Sequence, residues 1–187
     1  MTHRYSSMST FKSTTDRLKK AVRDVPDFPK PGVVFKDITP VLQDPQLFRL
    51  SISMFADRYQ RKRVDLVAAI DARGFIFGSA LAYVLGCGFT MIRKKGKLPY
   101  ETEEASYDLE YGSAAVEIHR DACSPGSRVL LVDDVLATGG TMAASVDLCQ
   151  RLKAEIIETA FFIELGFLNG REKLNNIPVF SLIQYPS

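Results

Sequence analysis

The run Val129-Leu130-Leu131-Val132-Asp133-Asp134-Val135-Leu136-Ala137-Thr138-Gly139-Gly140-Thr141 sets two adjacent carboxylates between an apolar segment and a glycine-rich turn. The apolar residues ahead of the acids read as a buried strand, and the residues after the second glycine read as a helix. A parallel strand delivers its last side chains to the carboxyl edge of its sheet, where folds of this kind bind ligands. The turn that follows offers successive backbone N–H groups and the hydroxyls of Thr138 and Thr141 at a helix N-terminus, which suits a phosphate. The run has neither the lysine of a G-x-x-x-x-G-K-[ST] loop nor the G-x-G-x-x-G dinucleotide spacing, so the natural guest is a terminal monophosphate. Adjacent acids beside such a cradle accept hydrogen bonds from vicinal hydroxyls. Acids and turn together describe a site for a ribose-5-phosphate.

Positioning these groups takes a parallel sheet, and the chain from residue 64 onward has the pattern of one. Short apolar runs over 64–70, 89–92, 128–132 and 156–163 alternate with helical stretches near 75–85 and 140–153. This predicts an α/β fold with a mostly parallel central sheet flanked by helices. Asp71-Ala72-Arg73-Gly74 directly follows the first of these strands, so Arg73 is expected where a ligand would sit, with a surface ion pair to Asp71 as the plainer alternative. Between Arg93 and Arg120 the alternation gives way to a polar stretch whose second half, with Tyr107, Leu109, Tyr111 and then Ala115, Glu117, His119, has the spacing of a hairpin. A long polar insertion on such a scaffold reads as a lid. Ahead of the sheet, Thr14-Thr15-Asp16 can cap a short helix that ends before Pro26. The Pro- and Gly-rich segment from Asp27 to Phe35 is expected as a loop with an aromatic at each end. Asp44-Pro45 opens a further helix, with Phe48, Ile52, Phe55 and Tyr59 on one stripe and Arg58 to Arg63 at its basic C-terminal pole.

Composition narrows the partners. A length of 187 residues makes one domain the default, large enough to bury roughly 70% of the surface its unfolded chain exposes. Lys+Arg number 24 against 22 Asp+Glu, a net charge of +2, which removes the blanket electrostatic footprint of a nucleic-acid binder. Cys87, Cys123 and Cys149 contain no Cys-x-x-Cys and the histidines are His3 and His119, so structural zinc and a disulfide framework are both disfavoured. The polar residues 1–20 lack an apolar signal core, and the odd cysteine count fits a reducing, cytoplasmic location. Phe75 to Ile92 carries no charge and has the length of a membrane span. Gly78, Gly86 and Gly88 punctuate it and charges flank it closely, so a buried helix followed by a buried strand is expected instead. Neither nucleic acid nor membrane is expected as a partner.

The run from Val129 to Thr141 resembles the phosphoribosyl-pyrophosphate (PRPP) motif of type I phosphoribosyltransferases. Four further segments extend the match: Phe28 to Pro40 with its Pro-Gly-Val-Val-Phe core, Asp71 to Phe75, Arg93 to Pro99, and Ser106 to Gly112 with Leu-Glu-Tyr-Gly. With Gly170 to Leu174 they resemble the adenine phosphoribosyltransferase family over nearly the whole chain from about residue 14. The PRPP motif indicates only the superfamily, whereas the Pro-Gly-Val-Val-Phe and Leu-Glu-Tyr-Gly segments are specific to the adenine branch. The resemblance implies the type I phosphoribosyltransferase fold as a single domain over 14–187, with a hood over about 14–45 and a flexible lid hairpin over about 94–120. Residues 1–13 would be a loose extension. The implied reaction transfers the 5-phosphoribosyl group from PRPP to N9 of adenine, giving AMP and pyrophosphate in purine salvage. Mg²⁺ would arrive with PRPP, and a homodimer would be the working form.

By the same resemblance, Asp133, Asp134, Ala137, Thr138, Gly139, Gly140 and Thr141 bind the ribose phosphate of PRPP or AMP. Arg73 matches the pyrophosphate-binding position, and Lys97 in the lid is a second cation closing over that group. Glu110 handles the purine proton and closes with Tyr111 near the reacting atoms. Asp71, Ala72, Arg93 and Lys94 frame the pyrophosphate and the lid, the basic run from Arg93 to Lys95 also serving a dimer contact. Main chain at Val34 reads the purine edge, Phe35 stacks on the ring, and Lys36 lies beside them. A carbonyl there accepts from the 6-amino group of adenine and meets the lone pairs of a 6-oxo group, the type of polar mismatch that discriminates strongly. The chain departs from the family pattern at Lys36, commonly Arg, and at Ala72, commonly Ser; a strained peptide at Asp71–Ala72, open to the cis form, could still serve the pyrophosphate. Two other functions fit the cradle. A 6-oxopurine phosphoribosyltransferase would need a lysine facing the base carbonyl, and a PRPP-sensing regulator without catalysis would need an effector or nucleic-acid surface such as a helix-turn-helix.

Overall fold

The computed structural model describes residues 13–108 and 113–186. They form two units that divide within one helix, after Met54. The first unit opens with a helix over 13–21 (α1) that buries Leu18. The segment beyond it differs from the expected helix and loop. β1 (Arg23–Pro26) and β2 (Val34–Asp37) pair antiparallel, with Val25 opposite Phe35 and Pro26 opposite Val34. Pro26 thus ends a strand at a sheet edge, where a residue without an N–H is tolerated. Asp27 at φ 56° and Gly32 at φ 84° turn the chain between them, and Asp27 Oδ1 accepts from Gly32 N at 2.7 Å. A short helix, α2 (Thr39–Gln43), follows; a single turn is too brief to show periodicity in a sequence. α3 (Pro45–Tyr59) starts as expected, with Asp44 Oδ1 accepting from Gln46 N and Leu47 N at 2.8 and 3.1 Å. Ile52, Phe55 and Tyr59 on its stripe are buried.

The second unit is built on one seven-stranded sheet. β3 (Leu66–Ile70), β4 (Gly88–Lys94), β7 (Arg128–Leu136), β8 (Glu155–Leu165) and β9 (Val179–Tyr185) form its parallel part, and a hairpin of β5 (Thr102–Asp108) and β6 (Ser113–His119) adds antiparallel to β4. The order is β5-β6-β4-β3-β7-β8-β9. Side chains alternate across β3, so its two faces meet different helices. Ala68 and Ile70 join the core cluster with Leu131, Phe161 and Leu148 of α5 (Gly140–Arg151). Ala69 points the other way, toward α4 (Gly74–Leu85), where a Cβ on Gly78 would fall 2.5 Å from its own. Phe77 of α4 stacks on Phe162 of β8 at 4.9 Å between ring centroids. The expected parallel sheet with helices on both faces is what the chain builds.

Two boundaries move. β7 runs to Leu136 rather than stopping at Val132, because its ladder with β8 continues through Asp133 opposite Phe161 and Leu136 opposite Glu164. The hairpin begins at Thr102, its strands registered from Thr102 opposite His119 to Asp108 opposite Ser113. The uncharged run from Phe75 to Ile92 does form a helix and a strand, and no described helix is long and apolar enough to cross a membrane. It is not buried throughout, however. Tyr83 is 87% exposed and Val84, Phe89 and Met91 are also open, so this apolar pattern reflects an uncovered face as well as core.

Candidate active site

Three parallel strands lying side by side, β4, β3 and β7, end on one edge of the sheet, and most of the expected residues stand there. β7 carries Asp133 and Asp134 in its last turn of pleat, so they alternate in direction. Asp134 is almost wholly buried and takes an ion pair from Arg73 Nε. Asp133 Oδ1 accepts from the N–H of Asp134 at 2.8 Å. Burial and the adjacent Asp134 carboxylate push the Asp133 carboxyl well above the ordinary carboxylate range. Gly74, the first residue of α4, allows this closeness, since a Cβ there would lie 2.8 Å from Asp133 Oδ1. The expected alternative of an Arg73–Asp71 surface pair is not what forms: Asp71 pairs with Arg93 Nε at 3.1 Å instead.

After β7, Gly139 turns the chain at φ 80° into α5, and its carbonyl accepts from Ala143 N at 2.9 Å. Asp133 and the residues from Val135 to Met142 line a small cavity of about 70 Å³. The size is set by backbone, with side chains contributing little at Ala137, Gly139 and Gly140. N–H groups of the first helical turn have no carbonyl partner within the helix, so the start of α5 leaves donors beside this cavity.

On the other flank, the Asp71–Ala72 peptide is cis. The N–H of Asp71 donates to the carbonyl of Ile92 at 2.9 Å, which ties the end of β3 to the end of β4. Arg93 extends the tie, its Nη1 donating to the carbonyl of Lys97 at 3.0 Å. Lys97 is exposed, with its backbone N–H and that of Leu98 donated to Glu117 Oε1 at 2.9 and 2.8 Å. Glu117 is 4% exposed in β6, where the hairpin spacing predicts only a strand position. Burial alone would push its carboxyl up, but the N–H groups of Leu98, Gly96 and Lys97 outweigh that and hold it below the ordinary range. The signal in the sequence is a lone acid between Val116 and Ile118 on a strand that is otherwise apolar there. Lys94 is exposed, opposite Val116 in the ladder, and Lys95 pairs with Glu104. Glu110 and Tyr111 lie outside the described residues.

The residues expected around the base belong to the first unit. Val34 is 49% exposed on β2, and Phe35 packs edge to face on Phe28 at 5.3 Å. Lys36 Nζ is engaged within the same hairpin, 2.7 Å from Asp24 Oδ1.

Comparison with known proteins places the chain in a family. Residues 38–182 match the model of the phosphoribosyl transferase domain. An adenine phosphoribosyltransferase of Bordetella avium is 54% identical over 170 residues, covering 90% of this chain and 93% of that one. The crystal structure of adenine phosphoribosyltransferase from Thermoanaerobacter pseudethanolicus superposes with a TM-score of 0.89 at 50% identity, covering 91% of this chain and 99% of that one. The Saccharomyces cerevisiae enzyme, solved with D-2,5-dideoxy-2,5-imino-altritol 1,6-bisphosphate and adenine, gives 0.87 at 42% identity, with coverage of 91% and 99%. With sequence identity at this level and a matching fold over nine-tenths of its length, the chain belongs to the adenine phosphoribosyltransferase family.

Proposed function

We propose how this adenine phosphoribosyltransferase divides the transfer from PRPP to N9 of adenine among its residues. The observation that carries the assignment is the common sheet edge on which Arg73, the Asp133–Asp134 pair and the 137–141 turn meet. The turn takes the 5′-phosphate of PRPP or AMP through the N–H groups at the start of α5 and the hydroxyls of Thr138 and Thr141. Asp133 and Asp134 accept from the ribose hydroxyls. As those hydroxyls arrive at Asp134, Arg73 exchanges its carboxylate partner for the pyrophosphate. Lys97, whose backbone is tied to Arg93 and Glu117, adds a second cation. Both offset charge that grows on the leaving oxygen as the C1′–O bond to pyrophosphate breaks and the C1′–N9 bond forms. Glu110 accepts the proton that N9 loses, and Tyr111 closes the lid beside it.

Mg²⁺ keeps several waters and is held by one or two carboxylates together with substrate phosphates. Asp133 and Asp134 at the end of β7 and Asp71 after β3 are oxygen donors of the kind that would hold such an ion beside the phosphates of PRPP. Bound with PRPP, the ion neutralises pyrophosphate charge. Residues 14–45 are the hood that supplies base recognition, and residues 94–120 are the lid, within one functional domain over 14–187. Val34 carries the selectivity: it begins β2 and is 49% exposed, which supports a role for its main-chain carbonyl as acceptor for the 6-amino group. Phe35 stacks on the purine and Lys36 orders the hairpin through Asp24. The adenine in the yeast complex supports this substrate. A homodimer is supported by the open apolar side chains of Tyr83 and Val84 on α4 and Phe89 and Met91 on β4, a face suited to a second copy. Cytoplasmic residence suits the three free thiols.

Pyrophosphate release from PRPP and Mg²⁺, measured in parallel with adenine, hypoxanthine, guanine, xanthine and orotate, tests the base assignment. Turnover with adenine should exceed that with each 6-oxo base by about 10⁴-fold, the scale of an unpaired polar mismatch. Comparable turnover with hypoxanthine would remove Val34 from the reading. For the leaving-group assignment, Arg73→Ala should lower kcat by about 10² to 10³, as for other preorganised donors, while KM for adenine stays within about twofold. A change confined to KM for adenine would exclude Arg73 from pyrophosphate departure.

A further inference from the structure

The turn Gly170–Leu174 lies behind the proposed phosphate cradle, and the two backbones meet at a distance that only glycines permit. A Cβ on Gly170 would fall 2.2 Å from the carbonyl oxygen of Ala137, and a Cβ on Gly139 would fall 2.2 Å from the carbonyl oxygen of Gly170. Whatever sets the position of Gly170 therefore sets the height of the Ala137–Gly139 backbone. The residue beside it is firmly anchored. Arg171 forks on Glu164 at the end of β8, Nε to Oε1 at 2.5 Å and Nη2 to Oε2 at 2.6 Å, and its Nη1 donates to the carbonyl of Val179 at 3.2 Å. Glu164 is 7% exposed and also accepts from Ser181 Oγ and Gln184 Nε2. The far end of the turn is pinned by Leu174, 1% exposed in the core cluster with Leu136 and Met142.

We propose that Glu164 and Arg171 are positioning residues for the 5′-phosphate cradle, acting through Gly170 on the backbone of Ala137 to Gly139. This rests on the reading of 137–141 as that cradle. The pair touches no reacting atom. It holds the turn against the sheet so that the N–H groups of the cradle stay at phosphate distance, and a planar, bidentate fork does this where a point charge would not.

Arg171→Lys and Glu164→Gln test the idea, with ribose 5-phosphate and pyrophosphate as separate binding probes and steady-state kinetics in both substrates. Arg171→Lys should weaken ribose 5-phosphate and raise KM for PRPP by about tenfold, roughly one charge-assisted hydrogen bond. Pyrophosphate affinity and KM for adenine should stay within about twofold, on the same scale. Glu164→Gln keeps the volume and one acceptor, so it should give the same selective shift even where the lysine variant folds poorly. Equal weakening of both probes, or of neither, would overturn the proposal. Thr141→Ala, a change in the cradle itself, separates the two readings. If it weakens ribose 5-phosphate while Arg171→Lys and Glu164→Gln do not, the positioning role fails alone; if it has no effect either, the cradle assignment fails.

Discussion

Asp133→Asn combined with Asp134→Asn should abolish measurable PRPP binding while the protein still folds. Each carboxylate stands to lose a charge-assisted hydrogen bond to a ribose hydroxyl, at about 1.5 to 3 kcal/mol apiece. Together that is about 10² to 10⁴ in affinity, since every 1.4 kcal/mol is tenfold. The fold has little reason to suffer. Asn matches Asp in shape, and the change removes both the buried charge and the like-charge contact that push the Asp133 carboxyl upward. Arg73 loses its partner Asp134, but half of its side chain is in water and rehydrates. The competing account is that the two acids only shape the strand end, as the bond from Asp134 N to Asp133 Oδ1 would suggest. Calorimetric titration with PRPP and thermal melting decide between them: retained PRPP affinity with a lowered melting temperature would mean that the acids are structural.

How much of this was legible beforehand follows from which interactions are local. The strand, acidic pair and glycine turn of 129–141 are contiguous, and a contiguous motif carries its own geometry: strand edge, αL turn, helix N-terminus. The parallel core was equally readable, because apolar runs as short as Leu66–Ile70 can be fully buried only between two layers of helix. The β1–β2 hairpin was not. Its strands have four residues each, Pro26 marks a strand end as readily as a helix stop, and the connection begins on a positive φ at a non-glycine, Asp27, with Gly32 only at its far end. The partner of Arg73 in the fold is equally hard to read from sequence. Asp71 is its neighbour in sequence, whereas Asp134 becomes its neighbour only when β3 and β7 pair. Glu117 shows in the sequence only as a lone acid in an apolar strand and Gly170 only as part of a motif; neither reveals its contact, which each makes with the backbone of a segment remote in sequence.

Gly139→Ala and Gly126→Ala share a backbone conformation and should differ sharply in effect. Both glycines sit at φ 80°, where an L side chain is strained, at a cost of about 1 to 3 kcal/mol. Gly126 follows Pro125 in a surface turn closed by Ser127 N to Ser124 O at 3.0 Å, and a Cβ there meets nothing within 4 Å. Strain is all that Gly126→Ala adds, so it should lower the melting temperature by about 2 to 10 °C and leave kcat/KM at 25 °C unchanged. At Gly139 the added methyl would stand 2.2 Å from the Gly170 carbonyl oxygen, a backbone atom that cannot swing aside. Relief to ordinary contact requires the cradle or the Gly170 turn to move by roughly 1 Å, and displacements of that size near a reacting centre cost about 10²-fold. Gly139→Ala should therefore lose at least about 10² in kcat/KM for PRPP beyond whatever stability it forfeits, measured on protein shown to be folded by circular dichroism. Were its activity to fall no further than that of Gly126→Ala, the close packing of the two backbones would have no bearing on phosphate binding, and the cradle would have to tolerate a displacement that its small, backbone-lined cavity gives it no room to absorb.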